Sequence, residues 1–81
     1  MAVEYQATST PTVGRLEDRL AHTVRVLRAR RVRLARLGER ARTGPGEQDF
    51  IEIIDAATAV EATTARACRL QDELRRARHA G

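Results

Sequence analysis

Residues 44 to 46 read Gly-Pro-Gly, and a long run of helically spaced apolar residues lies on either side of them. Proline has no amide hydrogen and its ring clashes with the carbonyl four residues back, so no straight helix passes through this point. The chain is thereby confined to two helices that turn back on one another. Before the turn, apolar residues recur at Val13, Leu16, Leu20, Val24, Leu27, Leu34, Leu37 and Ala41, with Val13, Leu20, Leu27, Leu34 and Ala41 seven apart. After it they recur at Ile53, Ala56, Val60, Thr63, Ala67, Leu70, Leu74 and Ala77. A seven-residue repeat is the pattern of helices packed along a shared seam, and no segment alternates as a strand does. The fold class this predicts is all-α, an antiparallel two-helix hairpin of coiled-coil type.

The ends of the two runs carry their own signals. Thr10 before Pro11 reads as a hydroxyl N-cap with proline in the first helical position. Gly44 and Gly46 supply the backbone freedom of a C-terminal stop and a tight turn. Glu47 and Asp49 then place acid at the positive end of the second helix dipole. The expected organisation is a mobile tail over 1–10 and one hairpin domain over 11–79. Within it, helix 1 covers about 11–43, the turn 44–46 and helix 2 about 47–78, fraying near His79.

The charges are divided between the two runs. All fifteen basic residues are arginine, a pattern that fits the codon bias of a GC-rich genome. Residues 12–43 hold ten of them against Glu17, Asp18 and Glu39, a net +7. Residues 44–81 hold five against seven acids, a net −2, and Glu4 brings the total to the overall +4. If the turn centres on Pro45, then Arg30, Arg31, Arg33, Arg36, Arg40 and Arg42 face Glu47, Asp49, Glu52, Asp55 and Glu61. Arg31, and less centrally Arg30, falls on the apolar stripe, where its stem would follow the seam and its head reach Asp55 or Glu61. Arg25, Arg28, Arg33 and Arg36 are left as candidate phosphate contacts, because a basic surface attracts nucleic acid or an acidic protein. No helix-turn-helix, zinc-finger or ribonucleoprotein signature accompanies them, and Tyr5 and Phe50 alone provide no platform for stacked bases.

Helix 2 is apolar over more than one stripe. Phe50, Ile51, Ile54, Thr58 and Ala65 form a second band beside the Ile53 and Val60 line, and one facing helix does not cover both. A chain of 81 residues also buries too little to be comfortably stable alone, and the single Cys68 provides no internal disulfide. Both facts predict a second copy, giving a homodimer that forms a four-helix bundle. A surface kept for a different protein is the alternative.

Chemistry-bearing groups are sparse. His22 and Cys68 fall opposite one another in the expected register, but no paired Cys or His spacing supports zinc, which leaves a surface histidine and a partly buried thiol. Glu52 and Asp55 lack the Glu-x-x-His companion of a carboxylate metal cluster. Asp18 and His22 lack a nucleophile, and Gly44-Pro45-Gly46 is a turn rather than a phosphate loop. The sequence therefore predicts no catalytic residue, no cofactor, no metal and no small-molecule substrate. It has no apolar run long enough for a bilayer and no signal-peptide pattern at its start, and a lone thiol suits the cytoplasm. The expected function is a non-catalytic protein-protein interaction or adaptor module that self-associates. The alternative is a nucleic-acid-binding regulator using the helix 1 arginines.

Overall fold

The computed structural model describes residues 12–44 and 46–80. Thr10, Pro11, the tail 1–10 and Pro45 lie outside the described residues. Two helices, α1 (Val13–Arg42) and α2 (Glu47–Ala80), pack against each other along their length. No strand occurs among the described residues.

Both ends of α1 and the start of α2 are closed by an identifiable group. At the start of α1, Thr12 is extended, and its hydroxyl accepts from the Arg15 amide at 3.1 Å. This is the N-cap bond that satisfies one of the free amides of the first turn. At the other end the Thr43 hydroxyl donates to the Arg40 carbonyl at 2.9 Å, and Gly44 takes a φ of +133°, a backbone region that side chains disfavour. The Asp49 carboxylate then accepts from the Gly46 amide at 3.0 Å, half of a capping box at the start of α2. At its far end α2 remains helical through His79 and Ala80, where the sequence predicts fraying.

The seam is one residue deep. Leu16, Thr23, Leu27 and Leu37 are buried from α1, and Ala56, Thr63, Leu70 and Leu74 from α2. Leu16, Leu70 and Leu74 form an apolar cluster at the end away from the turn, with Val13, Leu20 and Ala77 packed round it. The most buried line of α1 runs through Leu16, Thr23 and Leu37, seven or fourteen apart, and its missing heptad member is Arg30. The predicted heptad line lies beside it, with Leu27 buried and Leu20 and Leu34 half-buried.

That rotation of the seam changes which arginine reaches across it. Arg30 and Arg31 are both exposed, but it is Arg30 whose guanidinium reaches across and donates to the hydroxyl of buried Thr63. Among the described residues neither joins an ion pair with Asp55 or Glu61. Apolar and hydroxyl neighbours line the seam at this height, so the guanidinium finds a hydroxyl where a carboxylate was expected. The charge pairs that do cross between the helices sit near the two ends. Arg40 meets Asp49 at 3.4 Å and also Glu52, and Arg78 meets Glu17 at 2.8 Å.

The register is offset from a turn centred on Pro45. Arg30 stands fifteen residues before that proline and its partner Thr63 eighteen after it. His22 is exposed on α1, and Cys68 is exposed where a partly buried thiol was expected.

Candidate surface for a helical partner

The helical repeat places residues two apart on nearly opposite sides of a helix. Because Ala56 and Thr63 face α1, Ile54, Thr58 and Ala65 project from the far side of α2. There the structure leaves large apolar side chains in water: Phe50 is 54% exposed, Ile51 46% and Ile54 63%. Thr58 and Ala65 are exposed on the same side. The band thus lies opposite the seam rather than beside it. Sequence spacing found its members, but the direction they face depends on which stripe α1 covers.

The Thr58 hydroxyl donates to the Ile54 carbonyl one turn back at 2.9 Å. Its donor is thereby satisfied within the helix, and the methyl is presented with the neighbouring apolar groups. Ala57 and Ala62 add small side chains to the same half of α2. A partner helix can approach closely here, since alanine adds little bulk between backbones.

The outer side of α1 is different in kind. Arg25, Arg28, Arg33 and Arg36 are all exposed, and none joins an ion pair among the described residues. Arg25 and Arg36, eleven residues apart, share the face that points away from α2, with Val32 (48% exposed) between them. Arg28 and Arg33 flank that face on opposite sides. The four do not form one line, so they offer a diffuse positive surface.

On one broad side of the hairpin, Arg19, His22, Arg30 and Arg66 rim an open groove of about 440 Å³ floored in part by Val26 and Leu70. Asp18 and Thr23 also line it, so an acid, a histidine and a hydroxyl share one hollow. The Thr23 hydroxyl, however, donates to the Arg19 carbonyl at 2.8 Å, and Thr63 and Thr64 make the same bond one turn back. A hydroxyl committed in this way is not poised on His22 as an activated nucleophile would be. Among the described residues no group of three or more His, Cys, Asp and Glu side chains is arranged to hold a metal ion. No described helix is long and apolar enough to cross a membrane.

Compared with known proteins, the chain matches no protein-family model, no curated protein and no solved structure.

Proposed function

We propose that the chain is a non-catalytic helical interaction module of the cytoplasm that self-associates through the outward side of α2. The observation that carries this reading is the exposure of Phe50, Ile51 and Ile54 on the side of α2 that α1 does not reach. A helix that is apolar on two opposite sides needs two neighbours, and the hairpin supplies one. The thinness of the seam supports the same reading. Eight buried residues, two of them threonine, are a small core for two helices of this length, and small folds of this kind gain stability from association. A second copy on this face joins the hairpins through their α2 helices and makes a four-helix assembly.

Sedimentation of the purified chain across concentration tests the proposal. A dimer in the micromolar range, with helix content that falls on dilution, is the expected result. A well-folded monomer at those concentrations sinks self-association and leaves the band as a docking site for a different protein.

A second reading rests on a separate observation, the exposed Arg25, Arg28, Arg33 and Arg36, which join no ion pair among the described residues. In it the protein is a nucleic-acid-binding regulator whose arginines contact phosphates, in number rather than in register. Titration of duplex DNA and structured RNA across salt decides it. Phosphate contact gives an affinity that falls steeply with salt, and replacing the four arginines lowers the slope by about four. Absence of binding at low salt removes this reading.

A further inference from the structure

The outward side of α2 changes character along its length. It begins with Glu47, passes through the large apolar Phe50, Ile51 and Ile54, reaches Thr58, and continues through the small Ala62 and Ala65 to Arg69, all of them exposed. We propose that this face is complementary to itself, and that its occupant is the α2 helix of a second copy, antiparallel, about a two-fold axis beside Thr58. The inference rests on the self-association reading above and specifies its geometry.

An axis at Thr58 sets residues equally far before and after it opposite one another. Ile51 and Ala65 are seven positions either side, Ile54 and Ala62 four, and Glu47 and Arg69 eleven. Each isoleucine therefore meets an alanine of the partner, large against small, which is how facing helix surfaces interdigitate without voids. Glu47 meets the partner's Arg69 at the ends of the contact, Asp55 and the partner's Glu61 stand level with each other on its two flanks, and the contact closes on itself because every pair occurs twice.

Neighbouring registers lose these features. An axis one turn earlier, at Ile54, sets the two Ile54 side chains on each other, so the pairing of large against small is lost, and it separates Glu47 from the partner's Arg69. An axis one turn later, at Ala62, sets Ile51 opposite the partner's Glu73 and Ile54 opposite the partner's Leu70, which is buried in its own seam. The charge division argues for the same partner. Joining the hairpins through α2 leaves the two α1 helices, each net +7, at the outer edges, where their repulsion is least. The axis also holds the two Cys68 residues twenty positions apart along the helices, about 30 Å, so the native thiols do not pair across the dimer.

The test uses the full chain carrying Thr58→Cys in a Cys68→Ala background, oxidised at a concentration where the parent sediments as a dimer. Most of the protein should run as a disulfide-linked dimer on a non-reducing gel, because the axis brings the two introduced thiols together. Ala65→Cys in the same background should link poorly, its two copies lying about 21 Å apart along the helices. Independently, Glu47→Arg should raise the dimer Kd about tenfold, and adding Arg69→Glu should return it to within about threefold of the parent. A parent dimer in which Ala65→Cys links as well as Thr58→Cys, or in which the charge swap restores nothing, overturns this register and leaves self-association standing. A parent that stays monomeric at micromolar concentration overturns both.

Discussion

α1 and α2 are similar in length and share one seam, yet they present different surfaces to everything else. The outer side of α1 is arginine with Val32 isolated among the charges, whereas the outer side of α2 carries Phe50, Ile51 and Ile54 together. An amphipathic helix with one stripe is completed by one neighbour. Isolated apolar residues on a charged face are ordinary, but adjacent ones on a face with no charge between them mark a contact. The difference is what supports the proposal that the hairpin completes α1 and that α2 takes a further neighbour.

The largest effect should come from placing a charge on each outer side in turn. In the proposed dimer Ile54→Glu puts two carboxylates into the symmetric contact, one from each copy. It should weaken the dimer more than about a hundredfold while the monomer keeps its helical spectrum. Val32→Glu, equally apolar and comparably exposed on α1, should leave the dimer unchanged. Sedimentation of the two variants measures both. Equal loss from both would mean that the contact spans the two helices, and the contrast between them would break.

Within the seam the two helices should count equally. Leu16→Ala and Leu70→Ala each empty part of the same cluster, and each should cost about 2 kcal/mol, the low end for such changes because a thin seam collapses easily. The double variant should cost less than the sum, since the two side chains share neighbours. Thermal unfolding followed by circular dichroism gives all three numbers. Strict additivity would mean that the two leucines are buried independently.

The hairpin itself was legible in the sequence, because a proline between two heptad runs leaves few other folds. Its rotation was less so. Thr23 is buried although it belongs to no apolar stripe, and Arg30 rather than Arg31 reaches a partner across the seam. A hydrophobic pattern is blind to a threonine whose methyl packs while its hydroxyl is satisfied one turn back. An angle laid out from the apolar residues alone then misplaces the stripe by enough to exchange neighbouring arginines. The cap at Thr12 was missed for a related reason, since Thr10-Pro11 carries the stronger local signal. The outward band was found by composition, and its direction came from the packing of α1.

The two buried threonines extend the comparison at smaller scale. Thr63 accepts from Arg30 of the other helix, whereas the Thr23 hydroxyl serves only its own turn. Thr63→Val should therefore lower stability by about 1 kcal/mol, the worth of one hydrogen bond to a charged donor that retains water. Thr23→Val should change it by no more than about 0.5 kcal/mol, because the bond lost is one that competes weakly with the helix. Similar losses at both sites would mean that the Arg30 bond contributes nothing across the seam.

The smallest effect concerns the ion pairs near the turn. Arg40 reaches across to Asp49 and Glu52 with its own side chain 58% exposed, while Arg42 pairs with Glu39 inside α1. Exposed pairs of this kind contribute between 0 and about 1 kcal/mol and weaken as salt screens them. Arg40→Gln should thus cost at most about 1 kcal/mol in dilute buffer and nothing measurable in about 1 M salt. Arg42→Gln should be neutral in both, because its pair joins residues that the helix already holds together. Asp49→Ala should exceed Arg40→Gln in every buffer, since Asp49 also accepts from the Gly46 amide and its loss uncaps α2. If Arg40→Gln costs as much in high salt as in low, its contribution is the packing of its alkyl stem along α2. The turn end of the hairpin would then be held by the same apolar contact as the far end, with charge adding only direction.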